Sequence, residues 1–186
     1  MDTFSFVFSF FGLVLGLGLA ELLSGFGKSF QSRRKVHIGL LSPLLGLAVS
    51  LDLTSFWMWA WFIRDRVPAS YVALMCGLVV TGLYYLIARI TFPEEPTEWP
   101  DYDLYYFEHR RLVIGGVVLC NLLAILYQAA LGVQVNTSWL GLAFLATQVA
   151  FSAVVLLARS RRLSVIGLTL LVLSYPGSTI PGLLAG

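Results

Sequence analysis

Apolar residues run along the chain in six blocks, each near the ~20 residues that a helix needs to cross a ~30 Å hydrocarbon layer. They predict spans at about 3–25, 36–62, 68–88, 111–132, 138–158 and 163–183. Glu21 interrupts the first block and Asp52 the second. Pro68 suits the first turn of the third. The fourth carries no charge after Arg111. The sixth meets Tyr175-Pro176-Gly177 early, so it either ends at the far interface or breaks and resumes through Ile180–Ala185.

Composition points the same way. The chain is 58% hydrophobic, against about 45–50% in soluble domains, and its mean hydropathy is +0.84. Only 12% of residues are charged, roughly half the soluble norm. A soluble domain of this length has no means of covering so much apolar surface. The expected fold is an all-α membrane protein, a polytopic bundle of six transmembrane helices forming one domain over residues 1–186. Met1-Asp2-Thr3 lacks a positive n-region, so the first block reads as a retained span rather than a signal peptide. Cys76 and Cys120 fall inside apolar runs, as small buried hydrophobes do.

The basic residues follow the connections. Lys28, Arg33, Arg34, Lys35, Arg89, Arg110, Arg111, Arg159, Arg161 and Arg162 lie on one side of the predicted bundle, and only Arg64 and Arg66 on the other. The positive-inside rule then places both termini outside the cytoplasm. A net charge of +2 is too small to call for nucleic acid as a partner.

The longest connection is a cytoplasmic acidic loop over 89–110. The stretch Phe92–Arg111 holds six of the ten acidic residues. Phe92-Pro93 ends the third helix, because proline disfavours helix in the residue before it. Leu104, Tyr105, Phe107 and Leu112 are spaced as an amphipathic turn, predicting an interfacial helix before helix four. Trp99, Tyr102, Tyr105 and Tyr106 are side chains that sit at headgroup level. The loop reads either as a solvated linker or as a docking element, Glu108-His109-Arg110-Arg111 included, whose acids meet the basic stretch Lys28–Lys35.

Ionisable groups inside a membrane cost at least ~2.5 kcal/mol at a helix centre. Glu21 lies near a helix end and can pair with a loop cation. Asp52 lies deeper and either pairs with Arg64 or Arg66 or serves as a proton-accepting site. Ordered by depth, Asp52, then Asn121 and Gln148, then Tyr84 or Tyr85, then Glu21 form a polar ladder. Such a ladder either lines a hydrated path or acts as interhelical hydrogen-bond glue worth ~0.6 kcal/mol per pair. Gly12, Gly16, Ala20 and Ser24 repeat every four residues, a small-residue stripe that lets another helix approach closely, from this chain or a second copy.

Other chemistry finds little support. His37 and His109 both lie at helix ends, so a bis-histidine membrane haem is not expected. With Glu108 they form at most a loose metal set, and no metal or other cofactor is expected. There is no phosphate-binding glycine loop, no C-x-x-C and no Ser-His-Asp set. Asp101, Asp103, Glu108 and His109 stand at headgroup level without the spacing of a known hydrolase or transferase.

Glu21-Leu22-Leu23-Ser24-Gly25, Phe92-Pro93-Glu94-Glu95-Pro96 and Tyr105-Tyr106-Phe107-Glu108-His109-Arg110-Arg111 resemble segments of an uncharacterised family of small bacterial multi-spanning inner-membrane proteins. The resemblance implies a multi-pass protein of the bacterial inner membrane and carries no activity. The first functional expectation is a small channel or transporter for protons or a small cation. The second is a non-transporting scaffold or sensor acting through helix packing and the acidic loop, and the third a lipid-headgroup enzyme. Expected partners are the lipid bilayer and a homo-oligomeric copy or another membrane protein.

Overall fold

A computed structural model describes residues 3–68, 70–133 and 139–177. Six α-helices follow one another: α1 Thr3–Ser32, α2 Leu41–Phe62, α3 Tyr71–Thr91, α4 Tyr102–Ala130, α5 Trp139–Leu157 and α6 Arg161–Gly177. No strand forms among the described residues; a lone bridge joins His37 to Asp101. Helices α1 to α4 are long and apolar enough to cross a membrane, and α5 is shorter.

The surface is apolar, as suits a protein with lipid as its solvent. Leu13, Met58, Phe62, Val72, Val79, Leu112 and Leu173 are all exposed, whereas Asp52, Thr81, Asp103 and Arg110 are buried. This inverts the soluble arrangement, in which polar groups face out. Several serine and threonine hydroxyls inside the bundle are satisfied within their own helices. Ser50 donates to the Gly46 carbonyl, Thr81 to Gly77 and Thr91 to Ile87, each at 2.8 Å, the usual remedy where water is absent.

Helix α2 is central and packs against α1, α3, α4 and α6. Its buried face repeats through Leu41, Leu45, Ala48, Val49, Asp52 and Leu53 at helical spacing. Helix α1 packs chiefly on α3 through Leu15, Gly18, Leu22 and Gly25, all buried. At Gly18 a Cβ would stand 3.6 Å from the backbone of Tyr85, so the two helices nearly touch there. Phe92, just past α3, wedges its ring against Gly25 of α1 and Gly46 of α2, where any Cβ would collide with it.

Several boundaries differ from the sequence expectation. Helix α1 continues through the basic stretch to Ser32, and α2 starts five residues later than expected, at Leu41. No separate interfacial helix precedes helix four; the amphipathic turns are the first turns of α4, begun by Asp101, whose side chain accepts from the Asp103 N–H at 2.8 Å. With that cap the helix can start at the interface and run on unbroken. Ser70, rather than Pro68, caps α3 by accepting from the Ala73 N–H at 3.1 Å. After α4, Gly132 takes φ +68°, and Val133 N–H reaches back to the Gln128 carbonyl at 3.2 Å, a glycine-terminated helix end. Helix α6 runs through Tyr175 and Pro176 to Gly177; a proline in the last turn removes little of the ladder. The expected continuation of the sixth span to 183 and the start of the fifth at Ser138 lie outside the described residues.

Candidate functional site

Four helices meet at one carboxylate. Asp52 of α2 is 4% exposed and accepts three side-chain donors. The Tyr84 hydroxyl of α3 lies 2.7 Å from Oδ2, the Tyr175 hydroxyl of α6 2.9 Å from Oδ1, and Asn121 Nδ2 of α4 3.0 Å from Oδ1 and 3.3 Å from Oδ2. Asn121 Nδ2 also donates to its own Val117 carbonyl at 3.1 Å, which fixes the amide. All three donors are neutral, and among the described residues no basic side chain bonds to this acid. Arg64 instead reaches Asp65 at 3.7 Å and the Trp61 carbonyl at 3.1 Å, so the arginine pairing expected for Asp52 does not form with it.

The ladder expected from depth is therefore condensed. Asp52, Asn121 and Tyr84 form one cluster, since a tyrosine ring reaches well beyond its own backbone level. Gln148 of α5 accepts from Ser174 Oγ at 2.8 Å, one residue before Tyr175. Glu21 stands apart, 3.6 Å from Arg89, as its interfacial pairing predicted. Tyr175 is the member that sequence reasoning missed. Its signal was a tyrosine inside an apolar helix, obscured by the adjoining Pro-Gly, which reads as a break. Toward the other end of α2, Trp59 Nε1 donates to Gln128 Oε1 of α4 at 2.8 Å.

The basic end of the bundle is tied together by opposite charges. Arg161 Nε of α6 lies 2.7 Å from Oδ2 of Asp103 on α4, while Asp103 Oδ1 accepts the Leu41 N–H at 3.4 Å. Gly39 crosses so close to Asp103 that a Cβ there would overlap the carboxylate. His37 Nδ1 meets Asp101 at 3.3 Å. Partial burial alone would raise Asp101, yet the Asp103 N–H and His37 outweigh it and hold the carboxyl below its usual value. Arg89 bridges Glu21 and Glu94, at 3.6 and 3.1 Å, and Lys28 donates to the Glu94 carbonyl at 3.4 Å. The acidic loop thus touches the basic stretch only through the Glu94 main-chain carbonyl on Lys28, while its carboxylates Glu94 and Asp103 pair with Arg89 of α3 and Arg161 of α6.

The segment Glu108-His109-Arg110-Arg111 splits around α4. Glu108 and Arg111 are exposed. His109 stacks on Tyr105 with centroids 4.1 Å apart. Arg110 is buried, donating to Ser164 Oγ of α6 at 3.3 Å and lying over the Phe107 ring. The two histidines are thus engaged separately, and no group of three potential metal ligands forms among the described residues. In the small-residue stripe, a Cβ on Gly12 would stand 3.4 Å from the Trp57 ring, Gly16 has open space, and Ala20 and Ser24 are exposed.

Two cavities flank the acid. One, of about 450 Å³ at the basic end, is lined by Glu21, Ser24, Lys28, Arg89, Glu94 and His109, and reaches Ala88, one turn from Tyr84. The other, of about 480 Å³ and almost wholly apolar, reaches Phe56 and Val80, one turn from Asp52 and Tyr84. No protein-family profile matches the sequence, and no characterised protein or solved structure proved similar to it.

Proposed function

We propose that the protein is a small integral membrane transporter or channel for protons or a small cation, with Asp52 as its intramembrane carboxylate. The observation that carries this reading is the set of partners around Asp52: three neutral donors and no cation. An uncompensated charge inside hydrocarbon is costly, and neutral hydrogen bonds leave the net charge in place. A proton or a small cation is then the complement that the site lacks. The hydroxyls of Tyr84 and Tyr175 each donate and accept, so they can hand a proton to either carboxylate oxygen. The polar cavity at the basic end supports a watery approach to within one turn of Tyr84. The arrangement we propose has six spans with both termini outside the cytoplasm, in a bacterial inner membrane, as the distribution of basic residues and the family resemblance suggest.

A second reading has its own support. Both oxygens of Asp52 are occupied, and four helices share them, which suits a lock in a scaffold or sensor that transports nothing. Reconstitution separates the two. Liposomes carrying the purified protein, loaded with a pH dye and a potential dye, are expected to show flux that disappears in Asp52→Asn while the mutant keeps its helicity and monodispersity. Absence of flux from the folded wild type across acid to neutral pH, with each small cation tried, would transfer the assignment to the lock.

A further inference from the structure

The apolar cavity has a shape and a rim that specify an occupant. Its mouth is lined by Met75 and Val79 of α3 and Leu126 of α4, all exposed, so it opens sideways between these helices into hydrocarbon. Its inner end is closed by Phe56, Val80 and Ala124. Trp59 lines it too, but its indole N–H is committed to Gln128, leaving little for a polar ligand to bond. Water gains nothing in such a space. A void there would forfeit the dispersion contacts of its walls, so a hydrocarbon chain is its natural content. A helix about 10 Å wide fills about 400 Å³ per turn, so the space admits one turn of a partner helix and no more. A flexible chain suffers no such limit.

The rim adds charge. Ile63 and Val67 border the cavity and bracket the short 3-10 turn Arg64–Arg66. Arg64 is held by the Trp61 carbonyl and ring and by Asp65. Arg66 is exposed, and among the described residues its guanidinium has no partner. Guanidinium matches the geometry of a phosphate.

We propose that the cavity between α3 and α4 holds an acyl chain of an anionic phospholipid whose phosphate rests on Arg66. The chain end would lie against Phe56, whose ring centroid is 5.2 Å from that of Tyr84, the donor to Asp52. The lipid therefore adjoins the central acid, yet its binding does not depend on what Asp52 carries.

Native mass spectrometry of the full chain, delipidated in detergent, tests this. Phosphatidylglycerol, phosphatidylcholine with the same chains, and oleate serve as probes. One phosphatidylglycerol is expected to be retained at about fivefold lower concentration than phosphatidylcholine. Arg66→Gln, at an exposed position, should erase that preference. Met75→Trp, at the exposed mouth, should reduce retention of both phospholipids, and Val80→Phe should do so from the inner end. Equal retention of the two phospholipids by the wild type would overturn the proposal. So would tighter retention of oleate than of phosphatidylglycerol, or unchanged retention in Met75→Trp with its helicity intact.

Discussion

The start and the middle of α2 solve the problem of buried charge differently. At the basic end, Asp103 is 5% exposed and faces Arg161 at 2.7 Å; Glu21 and Glu94 share Arg89. Each of these three acids has a cation. Three turns on, Asp52 is as deeply buried and has only hydroxyls and an amide. Pairing with opposite charge is how a protein keeps a buried acid in a purely structural role. A chain that builds such pairs a few turns away yet leaves Asp52 without one has a site suited to an exchangeable ion. The clasp holds the helices; in the proposed function, the central acid is where charge changes.

The largest expected effect comes from removing the shared acceptor. Asp52→Leu would leave Tyr84, Tyr175 and Asn121 without it. Membrane hydrogen bonds are worth ~0.6 to 1.7 kcal/mol each, so the loss should reach about 2–5 kcal/mol, read as a lower unfolding midpoint in detergent. Asp52→Asn keeps an acceptor oxygen and should lose under half as much. Similar losses in the two variants would mean that charge, not hydrogen bonding, holds the four helices.

Next in size is the clasp. Gly39→Ala would drive a methyl into Asp103 and should cost about 1–3 kcal/mol. Arg161→Gln should cost about 1 kcal/mol or less, the worth of an ion pair whose cation is half exposed, and neither change should alter flux if the clasp only holds helices. A loss of flux in a folded Arg161→Gln protein would erase the distinction between the two regions.

The smallest effect is at Asp101. Its folded carboxyl sits below the unfolded value, so its contribution is present above the ordinary carboxylate range near ~3.9 and fades as pH falls through the folded value. Asp101→Asn preserves the helix cap and removes only this charge. Stability of the variant should therefore fall less steeply on the acid side than that of the wild type, and parallel acid limbs would show that His37 contributes nothing through this pair.

Much of the fold was legible in the sequence, because apolar block length and hydrocarbon thickness leave few choices. Helix ends were less so. The start of α4 depends on Asp101 as a cap, a local hydrogen bond that the mixture of prolines and acids around it disguises. At the site, Asp52, Asn121 and Tyr84 stood out as polar groups in apolar helices, but depth along separate helices said nothing of rotation. Only packing shows that they converge and that Gln148 joins them from α5 through Tyr175 and Ser174 of α6. Tyr175 was hidden by Pro176. The stripe Gly12-Gly16-Ala20-Ser24 is not the face that α1 turns to α3, where the buried row is Leu15, Gly18, Leu22 and Gly25; in lipid a leucine is equally at home facing a helix or the bilayer, so the sequence left the partner of the stripe open.

The most direct test of the central claim is infrared difference spectroscopy of the reconstituted protein, recorded across pH and on addition of small cations, with Asp52→Asn as the subtraction. The account predicts a carboxyl band that appears or shifts under one of these conditions in the wild type and is missing from the variant. A wild-type spectrum indistinguishable from that of Asp52→Asn under all of them would contradict it, and Asp52 would then be a fixed joint between four helices.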